Sequence, residues 1–159
     1  MSRPGRADAA AEARVRPVRR ADLPAVIALD AAVTGLSKGD YWQRVYRRYG
    51  VGGEQQRHFL VAVVGTKVLG FVIGEIRDWE FGSPPCGWVF ALDVDPGTRQ
   101  LGIGTRLLAA LRERFEQAGV RVLRTMLARD NTLIQSFFRS QGMTAGRLIP
   151  LEMEIGPEA

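Results

Sequence analysis

Two hydrophobic rhythms alternate along this chain. In the first, apolar residues run together or fall at every second position, as strands require. Residues 58–64, 68–77 and 88–94 have it. In the second, apolar residues recur every three or four positions. Leu101, Leu107, Leu108, Leu111, Phe115 and Ala118 do so, and predict an amphipathic helix ending near Gly119. Residues 14–19 alternate and read as a first strand, with Pro17 suggesting an edge. Asp22 as cap and Pro24 in the first turn open a helix to about residue 32, whose apolar face is Leu23, Val26, Ile27 and Ala31. Ser37 with Asp40 forms a loose capping box for a second helix, 38–49. Residues 50–53 read as a loop, Gly65-Thr66-Lys67 as a hairpin connection, and 78–87 as a loop carrying Trp79, Phe81 and Cys86.

Further on, residues 121–128 predict a strand and 132–141 a helix stopped by Gly142. Residues 144–155 leave room for one long strand or two short ones. Residues 1–13, rich in Ala, Arg and Gly, have no pattern and read as a disordered leader, and 156–159 as a tail. The domain proper is then 14–155. Strand–helix alternation followed by antiparallel pieces predicts an α/β (α+β) architecture, a mixed sheet with helices on both faces.

Composition narrows the classes. The chain has 159 residues, 46% of them hydrophobic and 25% charged, enough for one domain to bury its own core. No apolar run approaches a membrane span, and the N-terminus lacks the apolar stretch of a secretory signal. Cys86 is the single cysteine, so no internal disulfide forms, which fits a cytoplasmic location. His58 is the single histidine and reads as structural or exposed. Without a second histidine or a cysteine cluster, no metal site is expected. The net charge of +5 attracts polyanions. Basic and aromatic residues interleave in Tyr46-Arg47-Arg48-Tyr49 alone, so nucleic acid is disfavoured as a partner.

The candidate chemistry lies where the two rhythms meet. An apolar strand runs into Asp95-Pro96-Gly97, and the long helix opens at Arg99-Gln100-Leu101-Gly102-Ile103-Gly104-Thr105. The first amides of a helix have no partner inside it, and the macrodipole adds positive charge there. Glycines let a ligand approach those amides, so the turn can hold a phosphate or pyrophosphate, with Arg99 adding a full charge. It can equally be a tight turn whose glycines only permit close packing. The nucleotide-hydrolase loop is excluded, because Ile103-Gly104 stands where Lys and then Ser or Thr are needed. The dinucleotide fingerprint fails because Leu107 occupies its third glycine.

What matches is Arg-x-x-Gly-x-Gly, preceded by Leu92-Asp93-Val94-Asp95-Pro96 and followed by Asn131 and Phe137-Phe138-Arg139-Ser140-Gln141-Gly142-Met143. This three-part combination resembles the GNAT superfamily of acyl-CoA-dependent N-acyltransferases, from about residue 14 to 155. The resemblance implies a mixed sheet of about six to seven strands. It also implies acetyl-CoA as co-substrate and an amine as acceptor. The pyrophosphate would rest on the amides of Arg99, Gln100, Leu101, Gly102, Ile103, Gly104 and Thr105. The pantetheine would pair with Leu92, Asp93 and Val94 where the central strand splays from its neighbour. Val94 N–H would face the thioester oxygen. Asn131 and Phe138 would complete the cofactor site, and the segment 38–49, with its tyrosines and Trp42, would shape the acceptor site.

The proton-handling residues depart from the family pattern. Trp88 stands where one branch has a catalytic glutamate on the central strand. Glu75, flanked by Ile73 and Ile76, is the first substitute as general base, provided it points inward; a surface glutamate on the other face is the alternative. Asp93, which interrupts an apolar strand, is the second, and Glu80 the third. Many members carry a tyrosine seven residues after the asparagine, which protonates the leaving thiolate; here that residue is Phe138. The leading expectation is therefore an acetyl-CoA-dependent N-acetyltransferase acting on a protein N-terminus, a lysine or a small-molecule amine. The alternative is a catalytically weak acyl-CoA sensor or partner-binding module. The short tail after Gly142 adds a homodimer as an expected partner, one copy finishing or covering the other's sheet edge.

Overall fold

The computed structural model describes residues 5–51 and 55–157. The start of the leader, Gly52 and Gly53 of the expected loop 50–53, and the end of the tail lie outside them, while Gly50 of that loop belongs to a π-helical turn. The chain divides into two compact units, Met1–Met126 and Leu127–Ala159, each taken by itself below.

The first unit holds a five-stranded sheet: β1 (Arg14–Pro17), β2 (Arg57–Val64), β3 (Lys67–Arg77), β4 (Cys86–Val94) and β5 (Leu123–Thr125), in that spatial order. The first three ladders are antiparallel and β4–β5 is parallel. The sheet is mixed, as expected, but smaller than the six to seven strands anticipated. Segment 144–155 forms no strand among the described residues. Its Ile149, Leu151, Met153 and Ile155 alternate with Pro150, Glu152 and Glu154 at a strand's spacing, yet all four are exposed. An extended segment becomes a strand only by pairing its backbone groups with a neighbour. The strand expected over 121–128 shrinks to three residues for the same reason.

One sheet face carries α2 (Leu23–Thr34) and α3 (Gly39–Val45). Val26, Leu29, Trp42 and Val45 pack with Phe59, Val61, Phe71 and Ile73 from the strands. Trp42 is 2% exposed and stands edge-on to Phe71, with ring centroids 5.0 Å apart. Its indole N–H donates to buried Asp30 at 2.9 Å. Ile27 packs against this core half-buried, as expected, while Leu29 and Asp30 are buried where Ala31 was expected and Ala31 is only half-buried. Asp22 does not cap α2. Its carboxylate accepts the Arg19 N–H at 2.7 Å and pairs with Arg16, closing the turn before the helix. No side chain caps α3, so the Ser37–Asp40 box does not form.

The other face carries α4 (Ile103–Gln117), which buries Ile103, Leu107, Leu108, Leu111 and Phe115 against β2, β3 and β4. Leu101 precedes the helix and Ala118 is exposed. Glycines in the strands let α4 lie close. A Cβ on Gly74 would meet Leu111 Cδ2 at 2.8 Å, and one on Gly87 would meet the Phe115 ring at 2.4 Å. His58 lies beside Phe115, at 5.8 Å between rings, with Nε2 3.0 Å from the Gln55 carbonyl. Burial, opposed by that carbonyl and reinforced by Arg114, holds its pKa below the usual value. It is a structural histidine.

Part of the expected leader is ordered. Helix α1 (Arg6–Glu12) buries Ala10 and is followed by buried Ala13. Arg106 on α4 donates to the Ala10 carbonyl at 2.8 Å, which also accepts the Ala13 N–H, and to the carbonyl of Ala13 just past the helix end. A short helix that buries only alanines has no hydrophobic period to detect. Among the described residues no helix is long and apolar enough to cross a membrane. No group of three or more His, Cys, Asp and Glu gathers as metal ligands among them.

The second unit contains α5 (Thr132–Ser140).

Candidate active site

The strand-to-helix junction is built from local rules. Asp95 accepts the Gly97 N–H at 3.0 Å and closes a 3₁₀ turn over Pro96–Thr98. Thr98 is buried and donates to the Asp95 carbonyl at 3.1 Å. The chain then passes through two left-handed residues, Gln100 at φ 66° and Gly102 at φ 82°. The second requires glycine: a side chain there would be strained even though nothing crowds it. Helix α4 begins at once, its first internal bond running from Arg106 N–H to the Gly102 carbonyl at 3.0 Å. No side chain caps this end. The amides of Ile103 and Gly104 therefore precede any intrahelical acceptor, with exposed Arg99 alongside.

Beside this mouth, β4 has an open edge. Its parallel ladder with β5 runs only from Gly87–Leu123 to Val89–Thr125, and Thr125 Oγ1 closes it by donating to the Val89 carbonyl at 2.7 Å. Phe90 to Val94 have no ladder partner on that side among the described residues. The Asp95 N–H points the other way, donating to Leu69 O at 2.8 Å. Successive residues of a strand address opposite edges, so Val94 and Leu92 turn their N–H groups to the open edge. The expected residues Leu92, Val94 and Arg99 to Thr105 thus meet in one place, main chain foremost.

A β-bulge gives β4 a second feature. Ile73 pairs with Ala91 and Gly74 with Val89, which leaves Phe90 as the extra residue. Phe90 therefore joins Ala91 on the α2/α3 face, where its ring lies 4.9 Å from that of Tyr49. Tyr49 belongs to a π-helical turn, Tyr46–Gly50, that continues α3. On the same face Glu75 pairs across the ladder with Trp88. Its side chain is 15% exposed. The Tyr49 hydroxyl donates to Glu75 Oε2 at 3.3 Å, and Arg77 Nε donates to Oε1 at 3.2 Å. Arg77 also lies 4.8 Å over the Trp88 ring and 3.7 Å from Glu80. Glu75 is therefore inward and partnered, not a surface glutamate, while Glu80 sits in an exposed turn.

Asp93 also faces α2 and α3, opposite Phe71 in the ladder. Burial is the main reason its carboxyl is pushed up to about 6; Asp30 adds to this, and Arg99 and Lys38 oppose it. It is a carboxyl that changes charge near neutrality. Asp30 itself is held by Trp42 and by Lys38 Nζ at 3.1 Å. Nothing in the sequence pattern singles out Asp30, Lys38, Arg77 or Phe90, because a bulge and a helix-to-sheet contact set their positions.

Asn131 and Phe138 lie in the second unit. Asn131 caps α5 by accepting the Ile134 N–H at 3.2 Å. Phe138 is 5% exposed, its ring edge-on to Phe137 at 5.2 Å.

Comparison with known proteins adds to this geometry. The model described as "Acetyltransferase (GNAT) family" matches residues 24–143. A mycothiol acetyltransferase of Sanguibacter keddieii is 32% identical over 87 residues, 54% of this chain and 28% of that protein. An L-2,4-diaminobutyric acid acetyltransferase of Nocardia farcinica is 33% identical over 87 residues, 55% of this chain and 44% of that protein. The chain thus spans less than half the length of either curated relative. The solved aminoglycoside N-acetyltransferase AAC(6')-Iy, in complex with CoA, superposes with a TM-score of 0.77 at 19% identity. That match covers 89% of this chain and 94% of the other, and shows a shared fold.

Proposed function

The chain belongs to the acetyltransferase (GNAT) family, and from that membership we propose that it moves an acetyl group from acetyl-CoA to a primary amine by direct attack on the thioester. The observation that carries this reading is the uncapped mouth of α4 beside the open edge of β4. Arg99 and the amides of Gly102, Ile103 and Gly104 hold the pyrophosphate, with Gln100, Leu101 and Thr105 completing the loop. Leu92 and Val94 pair with the pantetheine like an added strand, and Val94 N–H meets the thioester oxygen as it gains charge. Asn131 and Phe138 are carried over from the family pattern as further contacts to the cofactor arm.

The amine nitrogen attacks the thioester carbon, and the carbon–sulfur bond breaks. Glu75 takes the proton that the nitrogen loses. Asp93 is the second candidate for that role. Phe138 has no proton to give, so the thiolate leaves unaided or draws a proton from water, Ser136, Ser140 or a tyrosine of the acceptor side. The names of the relatives favour a small-molecule amine as acceptor over a protein.

The test has two arms. Acetyl-CoA is expected to raise the melting temperature. Thiol release is expected with at least one amine of a panel that includes L-2,4-diaminobutyrate and an aminoglycoside. Stabilisation without release for any amine would favour the second reading, an acyl-CoA sensor, which Phe138 motivates. No stabilisation by any acyl-CoA defeats both. As to assembly, the exposed alternating residues 149–155 support a homodimer in which a second copy covers them; light scattering that shows a strict monomer at high concentration removes that proposal.

A further inference from the structure

Glu75 is gripped from two sides, and the two grips differ in kind. We propose that Tyr49 is a positioning residue: its hydroxyl holds Glu75 Oε2 on the Tyr49 side, away from Arg77. This rests on the reading of Glu75 as the base.

The two contacts use different oxygens. Tyr49 OH addresses Oε2 at 3.3 Å, and Arg77 Nε addresses Oε1 at 3.2 Å. Arg77 is fixed independently by the Trp88 ring and by Glu80, so its pull on Glu75 is constant. Without the Tyr49 bond, the pull of Arg77 would turn the carboxylate toward a bidentate pair with its guanidinium, the geometry that such forks favour. Its second oxygen would then be lost to an incoming ammonium. Tyr49 opposes that rotation. At 3.3 Å its bond is longer than the roughly 2.7–2.8 Å usual between oxygens, so it steers the oxygen without saturating it.

Tyr49 is itself pre-set. Its ring lies against Phe90 at 4.9 Å, with the Arg48 guanidinium 5.6 Å from its centroid. The π-turn that carries it is packed shut. A Cβ on Gly50 would come within 2.6 Å of the Tyr46 ring and 2.8 Å of Val18. Such wide turns re-aim the side chains that follow a helix. Here the turn and the Phe90 bulge bring two rings together and set the Tyr49 hydroxyl against the Glu75 carboxylate, and the packing of the two rings does not itself need that hydroxyl.

Tyr49→Phe keeps the ring and removes only the hydroxyl. With acetyl-CoA and the amine that gives the fastest thiol release from the panel, it is expected to lower kcat about tenfold, while the KM for acetyl-CoA and the melting temperature stay as in the wild type. Glu75→Gln is expected to lower kcat about a hundredfold. The double variant is expected to match Glu75→Gln alone, because the hydroxyl acts only through the carboxylate. Wild-type kcat in Glu75→Gln overturns the base reading and the positioning role with it. A slow Glu75→Gln beside an unimpaired Tyr49→Phe, or a double variant in which the two losses multiply, overturns the positioning role alone.

Discussion

The mouth of α4, which follows β4 in the chain, and the α2/α3 face of the sheet are built in opposite ways. The mouth is main chain: an uncapped helix start, a glycine at φ 82° and a strand edge without a partner. Its chemistry survives almost any side chain that keeps the backbone conformation. The α2/α3 face is side chain: Tyr49 from a π-turn, Glu75 and Arg77 from β3, Phe90 and Asp93 from β4. Each atom there depends on several elements being in place. The difference teaches where specificity can change. On the proposed function, the shared cofactor would be held by groups that every residue has, and the particular acceptor would be met by groups that few positions supply.

The comparison breaks most sharply at Gly102. Gly102→Glu puts a carboxylate at the proposed pyrophosphate site and a side chain on a left-handed backbone. It is expected to weaken acetyl-CoA binding at least about a hundredfold, measured by calorimetry, and to abolish the thermal shift. Retained affinity would remove the mouth from the cofactor site.

A smaller effect is expected at Gly87, where the strand accommodates α4. Gly87→Ala drives a methyl group into the Phe115 ring. It is expected to destabilise the fold by about 1–3 kcal/mol in urea unfolding, with acetyl-CoA affinity little changed in the folded protein. A loss of affinity without a loss of stability would mean that the helix mouth is tuned through the packing beneath it.

The smallest effect tests the α2/α3 face by pH. Burial holds the Asp93 carboxyl up to about 6, above its unfolded value. The folded state therefore keeps this proton where the unfolded chain has lost it. The resulting stability is fully present below the unfolded pKa and is lost as pH rises through about 6. Asp93→Asn has no charge to bury. It is expected to melt about 2–4 °C above the wild type at pH 8 and to lose that advantage at pH 4. An advantage equal at both values would show that Asp93 is solvated.

How much was legible follows from the range of each interaction. Arg99, Gly102 and Gly104 could be placed at a helix start because a strand, a Pro-Gly break and a helical period meet within a few residues. The inward face of α4 was equally plain, apart from its ends. The bulge at Phe90 was hidden, since 88–92 reads as a continuous apolar run whichever residue is the extra one. The π-turn was hidden inside a helical aromatic pattern, and α1 inside a run of alanines. Segment 144–155 had a strand's alternation but pairs with nothing among the described residues.

Near neighbours along the chain fix the uncapped mouth of α4 and the two-faced sheet, because backbone polarity and hydrophobic period act over short range. Long-range packing settles which carboxylates turn inward and what holds them. Burial, a bulge and a ring contact join residues as far apart as Tyr49, Glu75 and Phe90, and no local preference of any one of them carries that information.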